Sequence, residues 1–225
     1  MSVSREKTAP TRQRLLESSC DVFAEKGYRD ATIAEICERA GANIAAVNYH
    51  FRDKETLYLE AWGRAFHRSL EAHPPDGGVS EDASPQRRLR ARILAFLERI
   101  TDEKSGEFDI LRTELANPTG LLQKAVRPTI KPLKDATGAI IRELLGPAAS
   151  DTQVSFCLHS VFSQCLHVMF KGRLMKEPDE WDLVTPGRLG EFADHVVKFS
   201  LAGIRAVRKD AEARANRRKT VRRKK

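Results

Sequence analysis

Long apolar runs are missing from this chain. No stretch approaches the ~18 apolar residues a membrane span requires, and the leading segment MSVSREKTAP lacks the apolar core of a signal peptide. No membrane partner is therefore expected, and the cytoplasm is the expected compartment. Cysteine is scarce: Cys20, Cys37, Cys157 and Cys165 are the only four, none belongs to a CxxC pair, and all sit in apolar, helix-like surroundings that suit buried free thiols. No convincing run alternates apolar and polar residues as a half-buried strand does. Nucleophile motifs and phosphate-cradling glycine loops are lacking too, which disfavours an enzyme and leads us to expect no cofactor.

Excess charge is absent from most of the molecule. The 225 residues carry a formal +8, yet residues 205–225 hold eleven Lys or Arg against two Asp or Glu, so everything before them sums to −1. Residues 1–56 contain nine basic and nine acidic side chains, with Arg5, Lys7, Arg12 and Arg14 clustered where they can help with phosphates.

What is present is helix. The segment Thr32 to Lys54, TIAEICERAGANIAAVNYHFRDK, reads as two short helices and a tight turn. Thr32 and Glu35 have the spacing of a capping box, in which each side chain accepts from the other's backbone N–H. Ile33, Ile36, Cys37 and Ala40 share one face, Gly41 closes the helix, and Asn43 caps the next. Asp53 caps a third helix carrying Leu57, Tyr58, Ala61 and Trp62. On the middle helix Val47 and Phe51 point to the core, while Ala45, Ala46, Asn48, Tyr49 and His50 cover the remainder. Two readings fit such a face: close approach to base edges and phosphates, or an ordinary solvated helix.

The run from Thr11 to Trp62 resembles the DNA-binding domain of the TetR family of bacterial transcriptional regulators. The matching pieces are a first helix ending in FAEKGY, the TIAEICERAG helix, the GANIAAVNYHF turn and recognition helix, and the DKETLY start of the fourth helix. The GANIAAVNYHF wording and the long second half are similar to the CecR (YbiH) branch. The resemblance implies that Thr32 holds a phosphate, that Asn43 opens the recognition helix, and that Ala45, Ala46, Asn48 and Tyr49 face bases or the sugar edge. It also implies phosphate contacts from His50 and Lys54. Asn48 departs from the tyrosine many members have there; an asparagine can pair bidentately with adenine. A solvated Asn48 and a structural His50 are the bland alternatives.

Elsewhere, residues 1–10 are expected to be disordered, and a helix from about Thr11 to Lys26 ends at Gly27. The fourth helix extends to about Ala72. After a loop rich in breakers, Ser84 caps a helix striped by Leu89, Ile93, Phe96, Leu97 and Ile100. Pro118 ends a helix begun at Glu107, and Pro128 and Pro132 lead us to expect a bend in the next. Ser150 or Asp151 caps TQVSFCLHSVFSQCLHVMFKGRL, apolar almost all round and so expected to be buried on several sides. The resemblance pairs it with the helix from Glu191 to Val207 as a dimer interface. Cys157, His159, Cys165 and His167 fall at roughly 0°, 200°, 80° and 280° around a helix, so one helix cannot aim all four at one ion; no metal site is expected, although one shared across a dimer stays open. Residues 171–188 read as a loop. Arg214 to Lys225 has eight basic residues in twelve and reads as a disordered tail, either solvating or loosely bound to nucleic acid.

The expected fold is all-α, with an N-terminal helix-turn-helix three-helix domain (residues 8–68, recognition helix about 43–50) and a larger C-terminal helical ligand-binding and dimerisation domain (69–210). A basic tail (211–225) follows. The leading function is a dimeric regulator, most simply a repressor, that binds a palindromic double-stranded DNA operator as a homodimer and releases it when an unidentified small-molecule effector binds. The competing reading is an architectural DNA-binding protein that uses the tail and has no inducer.

Overall fold

A computed structural model describes residues 3–102, 104–170 and 186–222. Among them all regular structure is helical: α1 Val3–Asp30, α2 Ile33–Ala40, α3 Ile44–Phe51, α4 Lys54–Ala72, α5 Pro85–Thr101, α6 Glu107–Ala116, α7 Leu121–Leu145, α8 Asp151–Leu166 and α9 Leu189–Arg222, with two short 3-10 turns. No described helix is long and apolar enough to cross a membrane.

The chain forms two compact units. The first contains residues 1–72 and 102–129; sequence order alone had assigned 102–129 to the second domain. Its centre is α1, against which α2, α3, α4 and α6 pack. Leu15, Val22, Phe23, Ile36, Val47, Phe51, Leu57 and Ile110 are almost completely buried there. Phe23 meets Tyr58 edge-on at 4.8 Å, and Tyr58 lies 5.1 Å from Tyr28, so rings from α1 and α4 share one core.

α1 starts earlier than expected. It is helical from Val3 and contains Pro10, where disorder was expected. Gly27 breaks it as anticipated, with φ 73 and ψ −179, a conformation that essentially only glycine adopts. A Cβ at Gly27 would also stand 3.2 Å from the Thr113 Cβ on α6.

The second unit contains residues 73–101 and 130–225. α5 packs on α8 and α9 through Leu89, Ile93 and Leu97, and Phe96 meets Phe162 edge-on at 5.1 Å. Arg88 pairs with Glu143, and Arg90 with Asp194 at 2.5 Å. α7 runs unbroken through Pro128 and Pro132 and gives residues to both units.

Ser150, not Asp151, caps α8, with Gln153 completing a reciprocal capping box. Val154, Cys157, Val161 and Cys165 are buried, but Phe156 is 68% exposed and Leu166 37%, and Phe199 on α9 is 66% exposed. Among the described residues, α8 is thus buried on one side only. The tail also departs from expectation: α9 stays helical to Arg222. No Gly or Pro interrupts residues 205–222, their Ala, Arg, Lys and Glu are strong helix formers, and Arg208 pairs with Glu212 one turn on at 2.8 Å. The segment read as a loop, 171–188, lies outside the described residues as far as 185; residues 186–188 form a 3-10 turn.

Candidate nucleic-acid interface

Two local hydrogen-bond patterns set the turn between α2 and α3. Thr32 Oγ1 accepts from the Glu35 N–H at 3.1 Å, which starts α2. At the other end Gly41, at φ 58 and ψ 43, and Ala42 donate back to the Glu38 and Cys37 carbonyls at 3.1 and 2.9 Å. That paired closure turns the chain at once, and glycine permits it without steric cost. Asn43 Oδ1 then accepts from the Ala46 N–H at 2.9 Å, so only three residues separate α2 from α3.

The reciprocal half of the expected Thr32 capping box is not made. The Glu35 carboxylate is drawn instead to Lys26, at 2.8 Å, and to Arg39, at 3.1 Å. Arg39 also holds both oxygens of Glu25 on α1, at 2.8 and 2.6 Å. A cationic partner outcompetes a backbone N–H for a carboxylate, because the charge-assisted bond is the stronger. The Arg39 bonds lower the Glu25 pKa below the usual carboxylate range, and the Lys26 bond does the same for Glu35.

Arg12, expected to help with phosphates, is a brace. Its guanidinium pairs with Glu60 on α4 and stacks 4.9 Å from the centroid of Phe51 on α3. α1, α3 and α4 are thereby tied at one point.

α3 presents two contrasting faces. Val47 and Phe51 are each 1% exposed. Ala45 and Asn48 are exposed, Tyr49 is 76% exposed, and Ala46 and His50 are half-buried. The His50 ring lies edge-on to Tyr49 at 4.9 Å. Ile44, 54% exposed in the first turn, belongs to this outer face and was not anticipated. Helical period pointed the other way: Ile44 stands three and seven residues before Val47 and Phe51, in line with the buried stripe, and its place in the first turn leaves it uncovered.

The exit from α3 is strained. Arg52 has φ 70 and ψ −53, the only positive φ outside glycine among the described residues, and the Asp53 N–H donates to the Phe51 carbonyl at 2.9 Å. This is a tight three-residue γ-turn of the rare, strained hand. Asp53 Oδ1 accepts from the Thr56 N–H at 2.7 Å and starts α4, and that bond holds the Asp53 pKa below its usual value. Lys54 follows, half-buried, with its Nζ 4.5 Å from the centre of the Tyr28 ring; burial lowers its pKa.

Two short helices, joined by a turn that cannot be lengthened without losing both caps, offer an uncovered face of small and hydrogen-bonding side chains. Residues 15–61 match the family described as bacterial regulatory proteins of the tetR family, and residues 85–204, over half the chain, match the C-terminal domain of the HTH-type transcriptional dual regulator CecR. The chain belongs to the TetR family of transcriptional regulators.

Members of the family recur among its relatives. The transcriptional repressor AcnR of Corynebacterium glutamicum is 42% identical over 134 residues, 56% of this chain and 68% of that protein. The dual regulator CecR of Shigella flexneri is 26% identical over 170 residues, 71% of this chain and 76% of that one. Against another relative the chain spans only half of that protein's length. A crystal structure of a transcriptional regulator from Pseudomonas aeruginosa superposes with a TM-score of 0.68 over 87% of this chain and 93% of that one; at 16% identity it shares the fold. TetR-family regulators are not enzymes, and the described residues contain no cluster of three or more His, Cys, Asp or Glu that could hold a metal ion. Cys157 and Cys165 are buried, whereas His159 is exposed, its Nδ1 2.8 Å from the Ser155 carbonyl.

Proposed function

We propose that this TetR-family regulator is a homodimeric, ligand-responsive repressor that reads a palindromic operator through α3 and lets go when a small molecule binds within residues 69–210. The observation carrying the reading is the outer face of α3: Ala45, Asn48 and Tyr49 lie uncovered, while Val47 and Phe51 fix the helix to its core. Asn48 pairs with a base edge, and Tyr49 meets bases or sugar. Ala45 and Ala46 allow close approach to a thymine methyl. Thr32 and Asn43 spend acceptors on their caps and keep donors for phosphate, at helix ends whose partial positive charge favours anions. His50 and Lys54 complete the phosphate contacts. Because residues 1–204 carry almost no net charge, shape and these few groups outweigh bulk electrostatics in the head.

Dimerisation is supported by the apolar residues that one chain leaves uncovered, Phe156 and Leu166 on α8 and Phe199 on α9. A two-fold pairing across these helices buries them and sets two α3 helices against half-sites about one DNA turn apart. The name of AcnR, a repressor, supports the sign of regulation. An effector acts only through unequal affinity for the DNA-bound and released arrangements of the heads. The deciding experiment is to capture genomic fragments on the purified protein and footprint those retained. A two-fold symmetric footprint upstream of a gene, with transcription rising in a deletion strain, is the expected result; failure to enrich any fragment, or a single half-site footprint, refutes the reading.

A further inference from the structure

We infer that the last turns of α9 form a second, sequence-independent DNA contact, a basic helical arm that lies along a phosphate backbone without help from α3. This goes beyond operator reading and stands whether or not that reading holds.

Ala211, at 4% exposure, is the last buried residue of α9 among those whose burial is described, and Arg214 and Arg217 beyond it are exposed while the helix continues to Arg222. The final acidic residue is Glu212, which is tied to Arg208. From Arg214 onward eight of twelve residues are basic and none is acidic. By sequence Arg214, Arg217, Arg218 and Arg222 recur at intervals of three and four, a spacing that sets like charges a helical turn apart. Phosphates satisfy such a row, and the predominance of arginine favours them, since a planar guanidinium forks onto phosphate oxygens.

The same stretch argues against a lipid surface. Between Arg205 and Lys225 the apolar residues are alanine and valine only. A helix that beds into a membrane interface needs an opposing face of Leu, Phe or Trp, and this one has none. A duplex asks for no apolar face, only for a line of cations.

The test uses full-length protein, a short mixed-sequence duplex without the operator, and a variant carrying Arg214→Gln, Arg217→Gln, Arg218→Gln and Arg222→Gln. Glutamine preserves helix propensity. Plotting log affinity against log salt concentration, the expected slope falls by about three to four relative to the parent, and low-salt affinity falls about 10²- to 10³-fold. The matching four-lysine variant should retain most of the slope. An unchanged slope in the glutamine variant overturns the proposal, as does a lysine variant that loses as much as glutamine. Co-sedimentation with phosphatidylserine vesicles that vanishes in the glutamine variant, with duplex binding unaltered, replaces DNA by membrane and also overturns it.

Discussion

The hydroxyl of Tyr58 on α4 donates to the Glu114 carboxylate on α6 across 3.1 Å. Glu114 also accepts from the Thr119 and Gly120 N–H groups, each at 3.0 Å, and so receives the chain as it enters α7. One carboxylate thus joins α4 to the turn that enters α7. Replacing Glu114 by alanine leaves the buried Tyr58 phenol and the half-buried Thr119 N–H without that partner, at a cost of about 1–3 kcal/mol. Urea denaturation should show the lowered midpoint, with Glu114→Gln falling between it and the parent; equal stability of all three chains would remove the residue from this role.

At Arg52 the backbone strain invites relief. Glycine adopts φ 70 and ψ −53 as easily as the mirror-image γ conformation, and relieving a strained position returns about 1–3 kcal/mol, less about 0.5–1 for glycine's unfolded-state freedom. Arg52→Gly should therefore raise the thermal midpoint or leave it unchanged, whereas Arg52→Val should lower it. A clear drop in the glycine variant would mean that the Arg52 side chain contributes more than its strain costs.

Gly27 gives the opposite expectation. Alanine there must take up a conformation reserved to glycine and crowd Thr113 at 3.2 Å. Gly27→Ala should cost about 1–3 kcal/mol, and because α1 anchors α2, α3 and α6, DNA binding should fall in proportion to the folded fraction. A variant as stable as the parent contradicts the geometry of this kink.

Burial pushes the thiols of Cys20 and Cys165 up to about 12 from 9.0. Burial, followed by the neighbouring Glu114 charge, also raises the Tyr58 phenol. A raised folded-state pKa contributes stability that is complete below the unfolded value and lost as pH climbs towards the folded one. Stability should decline between about pH 9 and pH 12, and Cys20→Ala should decline less steeply over that window. Denaturant midpoints at pH 8 and pH 10 measure it; identical slopes for parent and variant would exclude the thiol.

Asn48→Ala should weaken binding to the captured operator by about 1–3 kcal/mol while changing affinity for random duplex far less. Competition between the two DNAs reads the ratio directly, and an equal loss on both assigns Asn48 to the backbone. Lys54→Ala should weaken both and reduce the salt slope by about one.

Much of the reading head was legible in the residues themselves. Thr32, Gly41 and Asn43 act through hydrogen bonds that close within three to five residues, so their consequence depends on little beyond local sequence. The inward stripe of Val47 and Phe51 follows from helical period in the same way.

What tertiary structure decided was competition between distant groups. Thr32 and Lys26 both offer Glu35 a donor, and only the approach of α1 to α2 brings Lys26 to the carboxylate, beside Arg39 one turn along α2. Glu60 takes Arg12 from the phosphate cluster for the same reason, being brought to it by the packing of α4 on α1. Residues 102–129 join the first unit because Ile110 and Thr113 meet α1, which no period in α6 announces. In α9 the local signal was present and outweighed by charge: eight basic residues suggested disorder, yet an uninterrupted run of helix formers, continuous with a packed helix through Ala211, needs no new nucleus to propagate to Arg222. Sequence alone determined the turn and the caps, whose bonds are local; the tertiary structure decided the owners of the charges, because a carboxylate serves whichever cation folding brings nearest.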